Sequence, residues 1–78
     1  MKTTIAFTTF SHFAPADCDA SSITINGKDA GRILRSEGVD GVTRYGFDAP
    51  DGGWIVPVHA DDDAEAIAIV RDHLIDNL

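Results

Sequence analysis

The chain has one cysteine, three prolines and six basic residues among its 78 amino acids, and it has no apolar run of membrane-span length. A single thiol excludes an internal disulfide and fits a reducing compartment, leaving pairing between chains as its one disulfide chemistry. With so few prolines and 44% apolar residues, the composition is that of a folded chain rather than a disordered one. Lys2 is followed by threonine-rich sequence without the apolar core of a signal peptide, so a cytoplasmic protein is expected. Seventy-eight residues make one domain, 1–78, and a chain of that size buries only roughly 60% of its unfolded surface, with little room for a deep catalytic pocket.

The scarcity of bases gives a net charge of −7, and its distribution is uneven. Six of the thirteen acids and one of the six bases lie from Asp61 onward, so the last 18 residues carry −5 of the total. Such a field repels nucleic acid and membrane phosphates and attracts basic surfaces, including the channels in which other proteins hold nucleic acid. A merely solubilising acidic surface has the same composition.

That acidic segment reads as one amphipathic helix over Asp61 to Leu78, and the rest of the chain as the small sheet it covers. Asp62 is placed to cap the first-turn amides, with Glu65 three residues on to complete a capping box. At 100° per residue, Ala64, Ile67, Val70, Leu74, Ile75 and Leu78 form a core stripe, and Asp61, Asp62, Glu65, Asp72 and Asp76 an acid stripe. Upstream, residues 2–13 favour a strand with Ile5, Phe7 and Thr9 on one face and Phe10 turned to the other, and residues 14–21 have loop composition. Ser22 to Ile25 and Ala30 to Arg35 flank Asn26-Gly27, a hairpin signal that leaves open a longer loop through Lys28 and Asp29. Val42 to Asp48 alternates as a strand, 49–53 is a turn, and Trp54, Val56 and Val58 share a face of a last strand in which Pro57 marks an edge or the strand's end. The expected fold is α+β: an antiparallel β-sheet of about four to five strands with one C-terminal α-helix packed on one face.

No catalytic, metal or cofactor motif stands out. His12, Asp17, Cys18 and Asp19 carry ligand atoms without paired metal-site spacing, and Asp61-Asp62-Asp63 beside His59 lacks the alternating ligands of a calcium loop and serves more economically as a helix start. Cys18 has His12 six residues before it but no nucleophile motif, and no phosphate-binding loop is present. We therefore expect no enzyme, no cofactor and no bound metal. Arg32, Arg35 and Arg44 with Tyr45 and Trp54 could be drawn as a nucleic-acid patch, but the net charge favours internal pairing with acids. Ile69 alone breaks the pattern, because it falls among Glu65, Asp72 and Asp76. It either packs under another segment or is an apolar anchor inside a charged rim, which makes Asp61, Asp62, Glu65, Ile69, Asp72 and Asp76 one candidate partner-binding face.

In length, Ala/Asp-rich composition, the hairpin SITINGKDAGRILR and the closing HADDDAEAIAIVRDHL, the chain resembles small phage-encoded anti-CRISPR proteins of type I systems, type I-C in particular. That resemblance implies a non-enzymatic inhibitor in the bacterial host cytoplasm that binds the surveillance complex (Cascade) and blocks target DNA binding. Its partner would be a protein with a basic nucleic-acid-binding surface, without direct nucleic-acid or membrane binding, and a monomer is expected over a large oligomer. Tyr45-Gly46-Phe47, Pro50-Asp51-Gly52-Gly53 and the helix from Asp62 are similar to the core of HicB-type antitoxins, although Trp54 stands where that family has cysteine. This second resemblance implies neutralisation of a small basic ribonuclease. A phage structural or assembly protein is the third reading, and it predicts self-association into a defined large oligomer.

Overall fold

The computed structural model describes residues 2–14, 17–52 and 55–78. Its elements in chain order are β1 (Ile5–Phe7), β2 (Ser11–Phe13), β3 (Cys18–Ile25), β4 (Lys28–Glu37), β5 (Thr43–Asp48), β6 (Ile55–Val58) and α1 (Asp63–Asp76). The strands form one antiparallel sheet in the order β1-β3-β4-β5-β6, with β2 paired to the opposite end of β3 from β1. The helix lies across one face against β4 and β6. This is the α+β plan expected, with six strands because the N-terminal strand is broken in two.

The break is a local solution to a packing problem. Ile5, Phe7 and Phe10 all pack against the core, which a strict two-residue alternation through 5, 7 and 9 cannot achieve. Thr8 carries the offset: its amide donates to the Ser22 carbonyl, its hydroxyl accepts from the Ser22 amide at 2.8 Å, and its carbonyl accepts from the Ser21 hydroxyl at 2.6 Å. Phe10 therefore faces the core rather than the other side, and Thr9 is exposed.

The expected loop over 14–21 is corrected in its second half. Cys18 to Ser21 are strand, because the ladder with β4 runs on to Asp19 opposite Arg35 and Ser21, fully buried, has its hydroxyl satisfied by Thr8. Polar residues of low strand preference are held in the sheet by a long partner and a hydrogen bond. Asn26-Gly27 is the two-residue turn, with φ of 53° and 83° at its two positions, and Lys28 pairs directly with Ile25. Farther along, Ala30 is an extra residue in β4, since Ile23 faces Gly31 while Thr24 faces Asp29. Gly31 has φ 107°, and a Cβ there would run into the Asp48 carbonyl oxygen.

Ile23, Ile33, Tyr45 and Val58 from the sheet meet Ala66 and Val70 from the helix in the core. Val56 lies opposite Phe47 but is half exposed, and Trp54 is outside the described residues, so of the face expected for the last strand only Val58 is seen buried.

Candidate functional site

The helix begins as its sequence dictates and then sits at an unexpected angle. Asp62 is the N-cap and accepts from the Glu65 amide at 2.8 Å, while the Glu65 carboxylate accepts from the Asp61 amide at 2.8 Å, one residue before the usual capping-box partner. The helical turns run from Asp63 to Asp76 and not over the whole of Asp61 to Leu78, with Asn77 closing the end by donating its side-chain amide to the His73 carbonyl.

Ala66 and Val70 are the buried positions, with Asp63, Ile67 and Leu74 half-buried beside them. Ala64, Ile75 and Leu78, expected in the core stripe, are exposed. Relative to the stripe of greatest hydrophobicity, the helix is turned by roughly 50°. The cause is Asp63. Its carboxylate accepts from the Tyr45 hydroxyl at 2.7 Å and from Arg35 Nη1 at 2.5 Å, and Arg35 Nη2 reaches Asp19 at 2.7 Å. Arg35 thus clamps the helix start to β3 and β4, and Ala66 is small enough to let the helix close onto the sheet behind it. The Asp19 hydrogen bond is the main cause that raises the Arg35 pKa.

At this angle the whole candidate face still points outward. Asp61, Asp62, Glu65, Ile69, Asp72 and Asp76 are all exposed, and Ile69 keeps 39% of its surface in water. Positions 62, 65, 69, 72 and 76 follow a 3-4-3-4 spacing along about 21 Å of helix, so two acid pairs flank one isoleucine. Asp62 and Glu65 are partly engaged in capping. The carboxylates of Asp61, Asp72 and Asp76 have no ion-pair partner among the described residues.

The arginines are spent inward. Arg32 pairs with Asp48, Arg44 with Asp40, and Arg35 with Asp19 and Asp63. Hydrogen bonding to Arg44 holds the Asp40 carboxyl down at about 2. Each of three phenylalanines spaced by three residues also lies under a guanidinium: Phe7 under Arg71 at 5.5 Å, Phe10 under Arg35 at 4.5 Å and Phe13 under Arg32 at 4.5 Å. Sequence reasoning missed these stacks and the role of Asp63, although F-x-x-F-x-x-F was there to be read. Arg32, Arg35 and Arg44 form no open basic patch.

His12 and Cys18 do not meet as base and nucleophile. His12 lies opposite Asp19, the strand neighbour of Cys18, so the two side chains leave opposite faces of the sheet. Burial, then the charges of Asp19 and Asp17, push the Cys18 thiol up, away from a reactive thiolate. Among the described residues no three His, Cys, Asp or Glu side chains gather as a metal site, and no helix is long and apolar enough to cross a membrane.

Tyr45 gives a direct test of the clamp. Burial, followed by the hydrogen bond to Asp63, pushes its phenol up to about 12 from its ordinary 10. A folded-state pKa above the unfolded value stabilises the fold fully below pH 10, and that contribution is lost as pH rises through about 12. Because Tyr45 is the chain's one tyrosine, phenolate absorbance reports it alone. We expect its titration near pH 12 in the folded protein, and a lower midpoint in Asp63→Asn; a midpoint of 10 in the folded wild type would refute the clamp.

The chain matches no protein-family model, and neither a curated protein nor a solved structure is significantly similar to it.

Proposed function

We propose that this protein is a non-enzymatic inhibitor that uses the outward face of α1 to occupy a basic, nucleic-acid-holding surface, and that its target is a type I CRISPR surveillance complex. The observation that carries the reading is the division of charge. The sheet's arginines are paired within the molecule, whereas Asp61, Asp72 and Asp76 stand without an ion-pair partner among the described residues, in a stripe around the exposed Ile69. A surface of that kind offers long-range attraction to a basic channel and a desolvatable apolar centre to hold it. The gap of about 10 Å between Glu65 and Asp72, filled by Ile69, differs from a continuous phosphate row, so the complementary site is two basic clusters on either side of an apolar pocket.

The strand, turn, strand and helix of the C-terminal half also support a second target, a small basic ribonuclease held in the manner of HicB-type antitoxins. The two are separated by affinity capture with the tagged protein from lysate of a bacterium carrying a type I-C system, at low and moderate salt. Recovery of surveillance-complex subunits, followed by loss of target DNA binding when the protein is added, is the expected result. A lone small basic nuclease would replace the first target with the second, and recovery of neither would overturn the inhibitor reading. For the complex that forms, raising ionic strength from ~50 to ~300 mM should slow association about tenfold with little change in dissociation. An association rate indifferent to salt would rule out steering by the acidic face.

A further inference from the structure

Among the described residues, no layer lies over the face of the sheet opposite α1. Across it runs one row of directly opposed residues, Ser11, Ala20, Leu34, Gly46 and Pro57, without a charge among them. A solvated face of an antiparallel sheet ordinarily carries polar residues, and from Ala20 to Pro57 this row does not. Leu34 is nearly buried at the floor of an open groove of about 780 Å³ lined by Cys18, Gly46, Ile55, Pro57, His59 and Asp61, and Ile55 and Val42 rise beside it half exposed.

We infer that this open face is where two copies of the chain pack together, sheet against sheet about a two-fold axis. Electrostatics selects that occupant's orientation. Two chains of −7 each repel, and on the open face the charges of Arg32 and Arg44 are closed into pairs with Asp48 and Asp40, which leaves Asp61 as the open carboxylate in the groove. Packing through it keeps both helices outward. With layers about 10 Å apart, the two acid stripes from Glu65 to Asp76 then stand about 30 Å from one another, several times the ~8 Å Debye length at physiological salt.

The area is sufficient. The molecule measures 45 × 24 × 22 Å, so a broad face offers on the order of 1,000 Å² against the ~800 Å² per partner of a standard interface. Association through the sheet edges is blocked instead. Pro57 has no amide to donate on β6, and the opposite edge is interrupted between β1 and β2.

Sedimentation equilibrium of the full chain from ~1 to ~200 µM at physiological salt tests this. The wild type should be dimeric, with an affinity that does not weaken as salt rises. Ile55→Asp and Val42→Asp, both at half-exposed positions that tolerate a polar side chain, should each weaken the dimer at least about 30-fold. Ile75→Asp on the outward helix should leave it intact. Circular dichroism checks each fold, and should Ile55→Asp unfold, Val42→Asp decides. A wild type monomeric throughout, an assembly larger than a dimer, or a dimer broken by Ile75→Asp and indifferent to the sheet-face variants would overturn the proposal. The result does not depend on the target of the acidic face, since no partner is present in the experiment.

Discussion

Replacing Arg35 with alanine should lower the melting temperature by about 10 °C, the largest stability loss expected from any partly exposed side chain in this molecule. Arg35 joins β3, β4 and the helix start, and it also covers the Phe10 ring. Its removal deletes two charge-assisted bonds and one stack, and leaves Asp19 and Asp63 facing each other without a cation. Both acids keep more than a third of their surface in water, so each bond is worth well under the value of a buried pair, and the sum is about 2 kcal/mol. Against the ~4–12 kcal/mol that a domain of this length musters, that is a substantial fraction. Arg35→Lys should recover only part of the loss, because an ammonium cannot present the two-pronged geometry that reaches both carboxylates. Thermal unfolding followed by circular dichroism decides it; a shift under 2 °C for the alanine variant would show that the clamp positions the helix without stabilising it.

The same clamp explains which parts of the fold could be read from the chain and which could not. Local signals were sufficient for the helix start at Asp62, the Asn26-Gly27 hairpin and the inward alternation of Tyr45 and Phe47, since each depends on neighbours a few residues away. The helix's rotation depends on a bond to residues 28 and 18 positions upstream. Periodicity weighs Asp63 as solvent-seeking and Ile75 as core-seeking, whereas the fold gains more by seating Asp63 on Arg35 and Tyr45 than by covering Ile75. Likewise, nothing local in Cys18 to Ser21 favours a strand; β4 offers that segment a ladder, and Thr8 takes up the Ser21 hydroxyl. The six residues of the candidate face were legible because an exposed stripe needs only helical spacing, and a moderate rotation left them all outside. Ile69 was the ambiguous one: the rotation that uncovers Ile75 carries Ile69 toward the sheet, and it still keeps 39% of its surface in water.

Reversing charge on the outward helix should abolish inhibition without unfolding the domain. Glu65→Lys, Asp72→Lys and Asp76→Lys together change the face by six units of charge, and we expect binding to the target to weaken about 100-fold or more, ~2.7 kcal/mol. Glu65 also accepts from the Asp61 amide, so its replacement costs the helix start on the order of 0.5–1 kcal/mol. Asp72→Lys with Asp76→Lys avoids that cost, because neither carboxylate has a hydrogen bond or ion pair among the described residues. The double variant should melt like the wild type and still lose most of its affinity. Ile69→Asn supplies the contrast. It leaves every charge in place, so association should stay fast while dissociation speeds up about tenfold, the signature of a lost apolar anchor. The two kinds of variant therefore separate attraction from retention on one helix face. Full inhibition by the folded double variant would eliminate the acidic face as the mechanism, and an unchanged dissociation rate in Ile69→Asn would reduce the face to charge alone.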